Sequence, residues 1–384
     1  MLLLLTALRP GEAAAECRTL PPAVPDRVGR AQIFVHGLKD KAVLRGKRDI
    51  IWGDYGDKVP NIYSMTYMAA DRDPNHQHQV DWYRANHPDW VMYKCDRKSP
   101  AHSFHYDYGY DTPVDIADPA VRQYLWDANP DLAQLGSRYE ADAVDNVQAT
   151  NDFGRCGVWH GGVWVQRYSG GRGDPGYAHD VAAWMKWLGE RVHAAGACLA
   201  ANHYFGGLDL AGFKEVAAEL DIIVDEHGFT RGCKPMVSDD AWRQRIALFR
   251  DLARSKPVVI IDQVCPTEAG INRAVLDWSL ANYLLLKGER SYLAIVPENK
   301  YGQLQDFPEL YLETGLPQGD FTVERGVYVR HFAKALALVN PSSKAAASYD
   351  LGERQWRDLD GKSLTGRLEL PPGTARVLVP ATPR

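Results

Sequence analysis

Tyr139-Glu140-Ala141-Asp142-Ala143-Val144-Asp145-Asn146-Val147 is the stretch on which the fold of this chain turns. A helix-like segment ending near Gly136 precedes it, and a long loop rich in Gly and Trp follows. A short apolar run that finishes in a carboxylate ahead of an irregular loop is how a strand of a (β/α)8 barrel delivers an acid to the barrel mouth. Side chains alternate along a strand, so if Asp145 points inward, Ala143 and Ala141 also face the barrel interior, while Asp142 and Val144 face the helices. Asp142 then carries a charge into the strand–helix layer and needs a partner; a phase shift that turns it inward is the alternative. Asp and Asn are also common wherever strands end, so the rest of the chain has to decide between an acid and a turn.

Working outward, seven further apolar runs read as strands, at 31–36, 61–67, 90–95, 197–202, 222–226, 257–262 and 292–296. Helical patterns lie between most of them. Residues 80–86 are closed by His87-Pro88, and Asp118-Pro119 supplies a cap and a first-turn proline ahead of Val121, Tyr124 and Leu125. Val181, Trp184, Met185, Leu188 and Val192 recur at helical spacing and stop at Gly196; Leu210, Phe213, Val216 and Leu220 repeat the pattern. Ser238 caps a run through Trp242, Ile246 and Phe249, and Ile271, Val275, Trp278 and Leu284 end at Gly288. Eight strands with intervening helices fit an α/β (β/α)8 TIM barrel better than an open doubly wound sheet, which would need a Gly-rich phosphate turn. Past Asn299 the period changes. A loop-like 302–320 leads into short alternating runs at 326–332, 335–340, 368–370 and 375–379, read as a small C-terminal antiparallel β domain. The expected organisation is a leader at 1–16, a barrel at 26–300, and a linker with the β domain at 301–384.

The totals agree with one barrel and a small appendage. The chain has 384 residues, 45% apolar and 24% charged, with no run long enough to cross a bilayer. A net charge of −5 with no basic stripe excludes a polyanion such as nucleic acid as the expected partner. The apolar start Met1-Leu2-Leu3-Leu4-Leu5, followed by Ala13-Ala14-Ala15, has the core and small-residue site of a secretory signal without its positive leader, so a secreted or periplasmic protein is expected. Lipidation at Cys17 is disfavoured by Glu16. Six cysteines then invite pairing: Cys95 and Cys156 follow neighbouring strands, as do Cys233 and Cys265. None of the six has CxxC spacing, so no zinc site is expected, and no cofactor either.

The polar residues at the expected C-terminal strand ends are His36, Tyr67, Asp145, Asn146, Asn202, His203, Asp225, Glu226, Asp262 and Glu298. In a barrel these converge on one mouth. Two carboxylates facing each other there can break a glycosidic bond, one protonating the leaving oxygen and the other acting as nucleophile or activating water. Asp145 and Glu226 are the pair selected, Asp145 as nucleophile or base and Glu226 as acid. Asp225 replaces Glu226 if the strand phase slips by one, and the structural alternative for Glu226 is an ion pair with Arg231 or Lys234. The other strand-end residues, with Trp159 from the loop at 151–177, are the candidate substrate contacts. That loop reads as a glycan-stacking flap, the alternative being packing.

Residues 139–147, preceded by Val114-Asp115-Ile116-Ala117-Asp118-Pro119-Ala120-Val121-Arg122, resemble the "lDi-nPaVR … yDGvflDnv" signature of glycosyl-hydrolase-like barrels, in particular their putative family fifteen, and more distantly the endo-polygalactosaminidase barrels. The segment from Asn299 to Pro380, with Val339-Asn340-Pro341 and Asp358-Leu359-Asp360-Gly361, resembles the β domain that often follows such barrels. The resemblance implies a glycosidase whose first carboxylate follows strand four, which maps onto Asp145. The family's Asp-Gly at the strand start is Glu140-Ala141 here, and no motif carries over to Glu226. The expected function is an exported glycoside hydrolase acting on a polysaccharide or oligosaccharide. Its rivals are a catalytically silent carbohydrate-binding barrel and a hydrolase or lyase using His160 or His203 as base.

Overall fold

The computed structural model describes residues 17–74, 78–103, 105–106, 109–205, 209–236, 239–267, 270–297 and 301–381. The expected leader at 1–16, Ser238 and Glu298 lie outside them. Eight parallel strands form the sheet: β1 (Gly29–Ile33), β2 (Ile50–Trp52), β3 (Tyr63–Ser64, continued at Met68–Ala69), β4 (Ala141–Val147), β5 (Cys198–His203), β6 (Ile222–Asp225), β7 (Val258–Gln263) and β8 (Ser291–Val296). Each pairs with the next in chain order, and β8 pairs with β1. The seam between β3 and β4 closes where Met65 bridges Ala141, with the Thr66 N–H donating to the Ala141 carbonyl at 3.0 Å and the Glu140 N–H to that of Ser64 at 2.9 Å. The ring is therefore shut, as the (β/α)8 reading requires.

One strand was misplaced by the sequence. Residues 90–95 do not join the ring; Val91 and Tyr93 make isolated antiparallel bridges to Val114, Pro100 and Gly157 beyond the end of β3. The missing member is β2, three residues between Asp49 and Gly53, too short to show a period. The two errors cancel in the count, which is why Asp145 still falls on the fourth strand.

Alternation sorts the layers. Ala141 and Ala143 lie in the barrel-interior cluster with Ala200, Ile222, Val224, Val259 and Ile261, whereas Val144 packs in the strand–helix layer. That outer layer is built by α1 (Val80–Asn86), α2 (Pro119–Asp127), α3 (Pro175–Ala194), α4 (Leu210–Ala218), α5 (Asp239–Ser255) and α6 (Arg273–Leu286). Asp118 caps α2 by accepting from the Ala120 N–H, as its sequence signal implied. The first two connections lack an α-helix; a 3-10 turn at Lys41–Leu44 and a loop cover β1 and β2 through Val35, Leu44, Ile51, Val59 and Ile62.

Past the barrel, six antiparallel strands run in the order Thr322–Glu324, Val327–His331, Leu336–Asn340, Thr374–Pro380, Trp356–Asp358, Ser363–Leu364. One face of this sheet, with Ala337, Val339, Ala375 and Val377, packs into the barrel's outer cluster. Lying between the ring and this sheet, α6 is buried from Val275 to Leu286, so it is apolar almost all round. Arg330 of the sheet is 1% exposed and donates to the carbonyls of Leu284, Leu285 and Lys287, satisfying the C-terminal end of α6.

Three disulfides staple the chain. Cys95–Cys156 and Cys233–Cys265 join the loops after neighbouring strands, as the spacing suggested. The third, Cys17–Cys198, was not foreseen and ties the segment ahead of β1 to the start of β5, beneath the barrel. Three bridges fit an oxidising compartment.

Asp142 faces the helix side and is fully buried, with the Thr66 hydroxyl as its hydrogen-bond partner. Burial pushes its carboxyl up to about 7. The folded state thus holds a proton that the unfolded chain releases near pH 4. The stabilisation from this group is complete below that pH and is lost as pH rises towards 7. Asp142→Asn is expected to flatten the pH dependence of the melting temperature and to exceed wild type above pH 7; parallel slopes for the two proteins would refute this.

Candidate active site

The register of β4 against β5 creates the site. Ala201 pairs with Val144 and His203 with Val147, so Asp145 and Asn146 together face the single residue Asn202, a β-bulge at the end of the strand. Asn146 takes a left-handed φ of 59°, which Asn tolerates better than most residues, and its N–H donates to Asp145 Oδ1 at 2.9 Å. The bulge keeps Asp145 on the inward face and half-buried at the mouth.

The same alternation governs the neighbouring strands. On β5, Cys198 and Ala200 are interior, so Asn202 points inward; on β6, Ile222 and Val224 are interior, so Glu226 follows them. Asn202 Nδ2 donates to Asp145 Oδ1 and to Glu226 Oε2, at 2.8 Å each. Those two carboxylate oxygens are therefore no farther apart than twice 2.8 Å. Tyr67, inward like Tyr63 and Met65 on β3, donates its hydroxyl to Asp145 Oδ2 at 2.7 Å. Tyr301 donates to Glu226 Oε1 at 2.6 Å. Burial and the adjacent Glu226 carboxylate both hold the Tyr301 phenol protonated to far above its usual range. Behind Asp145, the buried Arg72 guanidinium lies 4.0 Å from Oδ2 and 3.0 Å from Asp111.

The two acids thus differ in their surroundings. Asp145 accepts from Tyr67, Asn202 and its neighbour's N–H and has a cation nearby; Glu226 accepts from Asn202 and Tyr301. Glu226 is not drawn to Arg231 or Lys234; Lys234 instead stands opposite Arg231 in a small hairpin.

No protein-family model and no curated protein sequence matches the chain. Among solved structures it is similar to an α-amylase from Geobacillus thermoleovorans complexed with acarbose, at 11% identity over 92% of this chain and 99% of the other, with a TM-score of 0.47. A GH31 dextranase from Flavobacterium johnsoniae aligns at 10% identity over 94% of this chain and 52% of its own, with a TM-score of 0.48. A cycloalternan-degrading enzyme from Trueperella pyogenes aligns at 10% over 94% and 64%, with a TM-score of 0.41. The chemistry of the mouth is read from its own geometry.

Three expected substrate contacts are corrected by that geometry, for one reason: they occupy the outward phase. His203, Asp225 and Asp262 have no exposed surface. The ring nitrogens of His203 lie 2.8 and 2.9 Å from the carbonyl oxygens of Val147 and Phe213, and burial pulls its basicity down. Asp225 is sealed against Arg245, which also donates to the Phe205 carbonyl at 2.7 Å. Asp262 accepts from the Phe229 and Thr230 N–H groups and the Ser279 hydroxyl, and burial pushes it up to about 6. His36 is exposed at the rim, its ring 5.7 Å from that of Phe34. Trp159 sits on a hairpin (Gly157–His160 and Val163–Gln166) within the expected flap, edge-on to Trp164, with its Nε1 donating to the Arg97 carbonyl. His160, at the exposed end of that hairpin, pairs with Asp89.

Sequence reasoning missed Arg72 and Tyr301. Tyr301 follows the eighth strand closely, where barrel loops carry functional side chains, and that rule could have found it. For Arg72 there was no comparable signal. Asp225→Asn removes the countercharge of a buried guanidinium and is expected to cost about 3–5 kcal/mol of unfolding free energy by denaturant titration. A change under about 1 kcal/mol would refute the buried ion pair with Arg245.

Proposed function

We propose that the protein is a retaining glycoside hydrolase with Asp145 as nucleophile and Glu226 as acid and then base. The observation that carries this reading is the single amide nitrogen of Asn202 serving both carboxylates at 2.8 Å. With Asp145 Oδ1 and Glu226 Oε2 held within twice that length, the pair accords with the roughly 5–5.5 Å of retaining enzymes rather than the roughly 6.5–9.5 Å of inverting ones.

The surroundings divide the roles. Asp145, with more donors and Arg72 behind it, suits the group that attacks the anomeric carbon. Glu226 protonates the leaving oxygen, so the first product departs as an alcohol and a glycosyl ester remains on Asp145. Glu226, now a carboxylate, takes a proton from water; the water oxygen attacks the same carbon and Asp145 is released. Asn202, Tyr67 and Tyr301 hold both acids through these steps, and Tyr67 and Asn202 can follow the charge that leaves Asp145. A histidine base is disfavoured: both ring nitrogens of His203 face main-chain carbonyls in the core, and His160 is engaged at the hairpin end.

The motifs at 114–122 and 139–147, with a closed barrel and a following β sheet, support a glycosyl-hydrolase-like barrel of the family-fifteen type and a polysaccharide as substrate, processed outside the cytoplasm.

The test is a panel of soluble α- and β-linked glucans, galactans and amino-sugar polymers, assayed for released reducing ends. Asp145→Asn and Glu226→Gln should each lower kcat on the order of 10³-fold or more while leaving substrate binding measurable. Proton NMR of the first-formed product should find the anomer of the bond that was cut; the opposite anomer would eliminate retention. Glycan binding without turnover, indifferent to Asp145→Asn, would make the protein a carbohydrate-binding barrel instead.

A further inference from the structure

Phe34, the residue after β1, takes a conformation that bulky residues avoid, with φ at 55°. The strand alternation would send its side chain outward after the interior Ile33. The left-handed turn brings the ring back over the barrel interior instead, where it packs on the interior cluster together with Tyr301. Strain of this kind persists only where the surroundings over-determine it. Here the Phe34 N–H donates to the Trp52 carbonyl at 2.8 Å, and the Phe34 carbonyl accepts from the buried Gln32 side chain at 3.0 Å. Gly53 completes the cradle: a Cβ there would stand 2.4 Å from Phe34 Cδ1, so glycine is required for the ring to lie where it does.

The ring meets two partners edge-on. Its centroid is 5.1 Å from that of Tyr67, at an interplanar angle of 69°, and 6.2 Å from that of Tyr301, at 87°. These are the phenols whose hydroxyls hold Asp145 and Glu226. One strained ring is therefore wedged between the holders of both acids, and it brings no polar atom to compete for either carboxylate. Resting on the hydrolase reading above, we propose that Phe34 is a positioning residue that sets both carboxylates at once through Tyr67 and Tyr301. The device accounts for a strained aromatic at this position.

Phe34→Ala and Phe34→Leu test it in the full-length protein, by crystal structures and by kinetics on whichever panel polysaccharide the wild type cleaves fastest. In Phe34→Ala the Tyr67 and Tyr301 hydroxyls should leave hydrogen-bond distance of their acids. Its kcat should fall about 10-fold or more with KM within about threefold, because misplaced catalytic groups affect the transition state rather than binding. Phe34→Leu should recover part of both, and it carries the same two readings if the alanine variant does not fold. Tyrosines that keep their bonds at wild-type lengths, or a rise in KM with kcat unchanged, would overturn the proposal; the latter would make Phe34 a sugar-stacking surface. A wild type inactive on every polysaccharide defeats the hydrolase reading alone, since the crystal structures still decide whether Phe34 holds the two tyrosines.

Discussion

Two carboxylates forced to share one amide nitrogen are the constraint around which the mouth is arranged. Two full charges separated by twice 2.8 Å repel by roughly 3 kcal/mol at an effective dielectric of about 20. The site answers with oriented donors: the Asn202 amide between the acids, one phenol on the far side of each, and Arg72 behind Asp145. The bulge at Asp145–Asn146 is the backbone counterpart, since a regular ladder would set Asn202 opposite Asp145 alone and return the chain in a different phase.

Most of the fold was legible because the later strands are long and fully buried. Val258–Ile261 reads as an unbroken apolar run, and α3 shows its period from Val181 to Val192 before stopping at Gly196. Strand β2 gave no signal, being three residues long and joined to β3 by a loop with no helix. The run at 90–95 is apolar because it is packed under the Cys95–Cys156 loop, and burial alone does not distinguish a ladder strand from a covered loop.

The mouth was legible to the extent that strand phase was. Asp145, Asn202 and Glu226 share the inward phase of Ala143, Ala200 and Val224, while His203, Asp225 and Asp262 share the outward phase of Ala201, Ile223 and Ile260. A strand-end polar residue is a candidate only in the first set, and applying that filter throughout would have removed the three structural residues beforehand. Phe34 lay beyond it. Its direction is set by a left-handed backbone held by Trp52 and Gln32, contacts that no local pattern encodes.

Rigidity is placed where this chemistry needs it. Cys233–Cys265 ties the loop that begins at Glu226 to the loop after β7, and Cys95–Cys156 does the same for the loops after β3 and β4. Below the ring, Cys17–Cys198 and the Tyr292 hydroxyl bonded to the Pro22 carbonyl fix the incoming segment against the barrel floor. On the outside, Arg330 holds α6 between the ring and the C-terminal sheet. Electrostatic preorganisation works only if donors stay put while charge moves, and a displacement of about 1 Å in a catalytic group can cost 10²-fold in rate. A barrel clamped at its floor, its outer wall and two pairs of its rim loops leaves the two acids little freedom beyond what Tyr67 and Tyr301 allow, which is why so few side chains at the mouth can hold so close a pair.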